Sequence, residues 1–256
     1  MRSPTQYPLA KDVVRWQGEP VAVVVANKRA VAEDALELVE IDYEDLDAQL
    51  DMETAMDKST KVIHDDLGNN LFWTRTVNQG DVIEAFKQSH IVEEVTLDFA
   101  RHTGVTLETR AIVADWDSSE ERMTIYHNGQ APHMMQSIIA KHLNISEGLV
   151  RIISCDVGGS FGIKVHVYPD EMVTVAVSKL LKRPVKFVAD RLESYSTDIH
   201  SRCHKISGKI GVDDKGKILA FEIDDLSGIG PFSVYPRTSA IETNQVLNLS
   251  AASYVV

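Results

Sequence analysis

The sequence predicts a mixed α+β chain. Runs of strand length with alternating or continuous apolar residues recur, as in Ile91 to Ala100, Ala111 to Trp116 and Val185 to Val188. Between them lie segments whose apolar residues return at helical spacing, such as Met135, Ile138, Ile139 and Leu143. Clusters of Gly, Pro, Asn and Asp separate the two kinds of segment. The length of 256 residues suits one large domain or two small ones. A net charge of −12 argues against nucleic acid and anionic membrane surfaces, because phosphate binding needs clustered Lys and Arg. No apolar run approaches the roughly 20 residues of a membrane span, and the polar start, Met1 to Ala10, shows no apolar signal core. These features point to a cytoplasmic protein, with Cys155 and Cys203 as reduced thiols rather than a disulfide or a metal pair.

Val21 to Val25 reads as a short apolar strand, Asn27 as the cap of a helix carrying Val31, Ala35, Leu38 and Val39, and Val39 to Tyr43 as a half-buried strand. The acidic stretch from Asp42 to Asp66, with Gly68-Asn-Asn70, marks a candidate domain boundary. Beyond it, Gly80-Asp81 opens a helix to about Gln88, and a strand follows from Ile91 to Ala100. Ala111–Trp116 and Met123–Tyr126 form a hairpin around Asp117-Ser-Ser119. Pro132 suits the first turn of a helix to His142. After a strand over Val150 to Cys155, Pro169 begins another helix, with Val173, Ala176, Val177, Leu180 and Leu181 as its expected apolar stripe. Arg183-Pro184 ends it, and Val185 to Val188 reads as a buried strand. Lys205–Val212 and Ile218–Asp225 read as a hairpin over Asp213-Asp-Lys-Gly216. The tail from Gly228 holds Gly, Pro and Ser, is assigned no element, and ends on the apolar Tyr254-Val-Val256.

The most informative segment is Asp156-Val-Gly-Gly-Ser-Phe-Gly-Ile-Lys164, placed between a strand and a helix. Its glycines permit sharp turning and close backbone approach to a ligand, leaving main-chain N–H groups available to an anion. It matches neither the dinucleotide nor the triphosphate fingerprint, and Ser160 is one position away from a nucleophile elbow. Gln130, just before the Pro132 helix, is placed either to donate an amide hydrogen bond to a ligand or to stabilise the turn. His102 and Glu108 flank Gly104 as a bent loop into a pocket or as an exposed pair. His133, His142, His166, His200 and His204 lack the spacing of a zinc site. Asp190-Arg191 reads as an ion pair, and Glu171 as a residue complementing its helix dipole.

Five blocks then resemble the large subunit of the molybdenum hydroxylases in order and spacing. They are Gly129-Gln-Ala-Pro-His133, Val150-Arg151, Asp156 to Lys164, Arg183-Pro-Val185 and Asp190-Arg-Leu-Glu193. This group includes xanthine dehydrogenase, aldehyde oxidoreductase and aerobic carbon monoxide dehydrogenase. The tail from Val234 to Asn248 resembles the aldehyde and carbon monoxide dehydrogenase members most. The resemblance implies the end of an α/β hammerhead domain over residues 1–55 and a first molybdopterin-binding region over residues 67–256. It implies Gln130 near the apical oxo group of molybdenum and Gly159, Ser160, Phe161 and Gly162 around the pterin and metal. Ser160 stands where the family commonly has a third glycine; His102 and Glu108 fall where relatives resemble His-x-x-x-x-x-Glu-Pro, but Thr109 replaces the proline, so no role passes to them.

The implied cofactor is molybdenum–molybdopterin in its cytosine dinucleotide form. The implied partners are the remaining large-subunit polypeptide, iron–sulfur and FAD subunits, and a further copy of the chain. The family's general-base glutamate is expected outside these residues, so no catalytic residue or protein-built metal site is assigned and the chain is not expected to act alone. The rival expectation is a truncated remnant that serves only as an interaction or structural domain.

Overall fold

The computed structural model describes residues 3–250. In chain order the elements are α1 (Arg29–Leu36), α2 (Val82–Gln88), β1 (Ile91–Phe99), β2 (Ala111–Asp117), β3 (Arg122–His127), α3 (Pro132–Leu143), β4 (Val150–Ile153), α4 (Pro169–Leu181), β5 (Val185–Val188), α5 (Arg191–Thr197), β6 (His204–Val212), β7 (Ile218–Ser227) and α6 (Ala240–Leu249). They belong to two compact units, one of residues 5–46 and 103–199, the other chiefly of 47–102 and 200 onward.

The first unit is a four-stranded sheet in the order β4-β3-β2-β5 with α3 and α4 packed against it. β2 runs antiparallel to both β3 and β5, whereas β3 and β4 are parallel and joined by α3. Strand alternation turns Ile112, Ala114 and Trp116 of β2 and Met123 and Ile125 of β3 to the same side. There they meet Met135, Ile139 and Ala140 of α3 and Val175 of α4. Proline at the first turn starts both helices, and Asn144 and Lys182, at φ +53° and +54°, end them in left-handed caps. Asp117 turns the β2–β3 hairpin by accepting from the Ser119 and Glu120 amides at 2.8 and 3.3 Å.

Buried polar groups orient this unit. The Arg110 side chain, 1% exposed, takes Asp170 at 2.6 and 2.8 Å, Asp198 at 2.7 Å and the Thr197 hydroxyl at 2.7 Å. Its guanidinium lies 3.8 Å from the centre of the Tyr168 ring. Burial alone would lower the Arg110 pKa, but the Asp170 and Glu171 carboxylates outweigh it and hold the group charged. Burial pushes the Tyr168 phenol up, so it stays protonated. It donates to the Ile163 carbonyl at 3.0 Å and accepts from the Ile199 amide at 3.3 Å.

Several expectations are corrected. The buried side of α4 holds Glu171, Val173, Thr174, Val175 and Ser178, while Leu180 is 77% exposed. Polar anchoring sets this rotation: Asp170 is fixed on Arg110, and the Ser178 hydroxyl binds the Ala114 and Arg183 carbonyls and the Trp116 amide. Glu171 therefore does more than meet a helix dipole, since it pairs with His127 Nε2 at 3.0 Å inside the core. Asp190 and Arg191 make no ion pair with each other. Asp190 caps α5 through Glu193, and Arg191 donates to the Leu107 carbonyl. β5 is a sheet edge with alternate residues exposed rather than a buried strand. Residues 21–25 and 39–43 run without ladder partners among the described residues, and α1 is preceded by Lys28 rather than capped by Asn27. An extended apolar run becomes a strand only when a neighbour takes its N–H and C=O groups.

The other unit is the antiparallel sheet β1-β6-β7. Asp213 forms the β6–β7 turn by accepting the Lys215 and Lys217 amides, with Gly216 at φ +81°. α2 packs at one end, where Asp81 caps it through the Glu84 amide. α6, in the tail where periodicity gave no signal, packs on β7. The apolar end at Tyr254 lies outside the described residues.

Removing one partner of a buried ion pair leaves the others uncompensated. Arg110→Ala is expected to lower unfolding free energy by about 3–5 kcal/mol. Arg110→Lys is expected to recover only part of it, because lysine cannot form the two-pronged contact with Asp170. Urea denaturation followed by circular dichroism checks both.

Candidate functional site

Two loops leave the carboxyl ends of the parallel strands β3 and β4, the side of an open α/β sheet where ligands bind. The first carries Gln130 and the second runs from Ser154 to Gly162. Asn128 secures the first by accepting the Ala111 amide at 2.9 Å and donating to the Thr109 carbonyl at 2.8 Å. The Ser154 hydroxyl joins the loops through the Gly129 carbonyl at 2.8 Å. The Gln130 amide N–H donates to the Lys164 carbonyl at 3.1 Å.

The structure brings Gln130 and Ser160 together. The Ser160 hydroxyl donates to the Gln130 side-chain oxygen and accepts the Lys164 amide at 3.1 Å. With its oxygen engaged, the Gln130 side chain presents its NH2, which has no acceptor among the described residues. The loop continues through Gly159 at φ +100°, Phe161 at +51° and Gly162 at +89°. Phe161 is 78% exposed, and a Cβ at Gly162 would meet nothing within 4 Å. Among the described residues the main-chain N–H groups of Gly159, Ser160, Phe161 and Gly162 have no acceptor. Successive amides in such a bend form a concavity that favours an electron-rich ligand.

Glu108 closes the loop at both ends. Its carboxylate accepts the Gly158 amide at 2.8 Å and the Lys164 ammonium at 2.7 Å, and its own amide donates to the Gly158 carbonyl at 3.2 Å. The contact is close enough that a Cβ on Gly158 would lie 2.5 Å from the Glu108 Cβ. Partial burial pushes the Glu108 carboxyl up, but Lys164 and the Gly158 amide outweigh this and hold it below its ordinary value. The Lys164 side chain is 1% exposed, so its charge is answered inside the protein. Neither residue draws a role from sequence spacing alone. The available signal was a lysine ending a glycine loop, a place where burial demands a carboxylate. His102 belongs to the other unit, where its backbone bridges Ser201.

Residues 63–256 match the molybdopterin cofactor-binding domain, and residues 1–47 match the aldehyde oxidase and xanthine dehydrogenase a/b hammerhead domain. The chain belongs to the molybdenum hydroxylase large-subunit family. Its relatives include the nicotine 6-hydroxylase large subunit of Paenarthrobacter nicotinovorans, 34% identical over 96% of this chain and 31% of that one. The carbon monoxide dehydrogenase large chain of Hydrogenophaga pseudoflava is 30% identical over 88% of this chain and 30% of that one. The nicotinate dehydrogenase large molybdopterin subunit of Eubacterium barkeri is 31% identical over 89% of this chain and 52% of that one. The structure of quinoline 2-oxidoreductase from Pseudomonas putida 86 superposes with a TM-score of 0.91 at 30% identity, over 95% of this chain and 31% of that one. A Cu,Mo-CO dehydrogenase superposes with a TM-score of 0.80 at 31% identity, over 87% of this chain and 30% of that one. The chain thus spans about a third of the length of the first of these large subunits. The family binds a molybdopterin cofactor, and its members named here are large subunits of oxidoreductases. No helix among the described residues is long and apolar enough to cross a membrane.

The Glu108 clamp gives a pH dependence of definite sign. A carboxylate whose pKa is depressed on folding stabilises the fold fully above its unfolded value and loses that contribution as pH falls through the folded one. The stability difference between the wild-type chain and Glu108→Gln, about 1 kcal/mol for a half-exposed charged hydrogen bond, is expected to hold steady from neutral pH to about 5. It then shrinks toward zero on further acidification. Paired urea titrations across pH measure it.

Proposed function

We propose that this chain supplies cofactor contacts in the large chain of a molybdenum–molybdopterin oxidoreductase related to the aldehyde and carbon monoxide dehydrogenases, and that another polypeptide completes the site. The observation that carries this reading is the row of unclaimed N–H donors from Gly159 to Gly162 beside the outward NH2 of Gln130. These residues fit the group. Its oxo, thiolate and phosphate atoms accept hydrogen bonds, the N–H groups from Gly159 to Gly162 are unclaimed among the described residues, and the space over Gly162 is open. When bound, the group supplies the two-electron redox chemistry that side chains lack. Gln130 orients an acceptor atom through its amide. Ser160 holds that amide in register, and Gly159, Phe161 and Gly162 line the approach with backbone N–H groups. Phe161 adds an exposed ring beside the approach, where it excludes water once covered.

Residues 1–55 are the end of a hammerhead domain and residues 67–256 a first molybdopterin-binding region. The cofactor is the cytosine dinucleotide form, and the partners are the remaining large-subunit polypeptide with iron–sulfur and FAD subunits. Completion by a second polypeptide draws support from the Eubacterium barkeri relative, a large molybdopterin subunit of which this chain already covers half. Self-association draws support from β1, an edge strand whose Ile91, Val95, Leu97 and Phe99 are all exposed. A cytoplasmic site agrees with the free thiols of Cys155 and Cys203.

Co-expression with the adjacent large-subunit polypeptide, followed by metal analysis and oxidised-pterin fluorescence, tests the reading. The purified complex is expected to carry molybdenum and pterin and to release cytidine monophosphate on acid hydrolysis. Gly162→Ala and Gln130→Ala are expected to cut retained molybdenum about tenfold, a loss of about 1.4 kcal/mol, while the complex stays assembled. A well-formed complex with neither molybdenum nor pterin would leave only an interaction role.

A further inference from the structure

We infer that the free edge of β4 is a docking groove for an extended, acidic segment of another polypeptide, which adds to the sheet as a fifth strand. β4 is the last strand of its sheet, so half of its backbone N–H and C=O groups point away from β3; the Val150 carbonyl already accepts from the Gln136 side chain at 2.8 Å, and an added strand pairs beyond it, from Ile152 onward. Beside it lies an open cavity of about 600 Å³. Val150, Arg151, Ile152, Ile153 and Ser154 all line it. Consecutive residues of a strand face opposite sides, so a cavity touching every one of them follows the edge, and Arg122 of the neighbouring β3 extends it onto one face. Its second wall is the first turns of α3, through Pro132, His133 and Gln136. A strand edge beside a helix is the geometry in which an added peptide strand gains main-chain hydrogen bonds and side-chain selection together.

Charge sets the chemistry of the occupant. The lining holds Arg122, Arg151 and His133 and no acidic side chain, on a chain whose net charge is −12. Among the described residues neither arginine makes an ion pair; the nearest restraint on Arg122 is Asp117 across the β2–β3 ladder. The parallel register, Met123 with Val150 and Thr124 with Arg151, puts Arg122 and Arg151 on the sheet face away from the buried Met123 and Val150. An added strand therefore meets Arg151 directly with its outward side chains, with Arg122 one strand further in on the same face, and Ile152 with its inward ones. The preferred partner alternates acidic and apolar residues. This inference does not depend on cofactor binding.

Fluorescence anisotropy on the full chain tests it with a short labelled peptide alternating valine and glutamate. Saturable binding is expected, weakened about tenfold or more by the double change Arg122→Glu and Arg151→Glu. The same variant is expected to gain affinity for the valine–lysine counterpart. Both arginines are exposed, and circular dichroism confirms that the variant folds. N-methylation of alternate peptide amides is expected to abolish binding, because it removes the strand hydrogen bonds while keeping the charge. Three results each overturn the proposal. They are no saturable binding, equal binding of the N-methylated peptide, and full displacement by inorganic phosphate, which would make the groove a small-anion site.

Discussion

The unit that carries the site depends on one buried cation. Arg110 enters at the start of β2 and reaches Asp170 at the first turn of α4 and Asp198 just past α5. Burying a guanidinium is costly unless every N–H finds an acceptor. Here that requirement fixes where α4 begins and how it is turned about its axis. Tyr168, stacked on the same guanidinium, passes the constraint to the Ile163 carbonyl, the residue next to Gly162. The far end of the glycine loop is thus set by electrostatics in the core, while Glu108 and Lys164 set its span.

This arrangement explains which parts of the fold could be read from residues alone. Alternation identified β1, β2, β3 and the β6–β7 hairpin, because one side of each strand differs chemically from the other. Proline signals located the starts of α3 and α4. The apolar stripe of α4 misled, because hydrophobic spacing knows nothing of Arg110 or of the three bonds made by Ser178. An isolated pair such as Asp190-Arg191 could not announce that its members serve different neighbours, a cap and a loop carbonyl. α6 was missed because its polar residues, Glu242, Thr243, Asn244 and Gln245, blur any stripe.

The candidate site was legible to a different degree. The glycines announced a close approach of backbone, and the position of Gln130 before a helix allowed a ligand role beside a turn role. The structure shows the amide joined to Ser160, a pairing that no spacing rule connects, because the residues meet only where two parallel strands end side by side. Glu108 and Lys164 were hidden for the same reason: an ion pair between residues 56 positions apart is a property of the tertiary fold. The resemblance to molybdenum hydroxylases supplied the family, and the geometry supplies the reason that those loop residues stand where they do.

Lys164 has its amide on Ser160, its carbonyl on Gln130 and its ammonium on Glu108. A loop so fully determined by its own protein has surrendered its conformational freedom during folding. In the proposed role, a molecule arriving at this bend would spend little of its interaction energy on ordering the host. Affinity and selectivity would both gain, since a guest of the wrong shape would meet a pinned loop rather than a wall that yields.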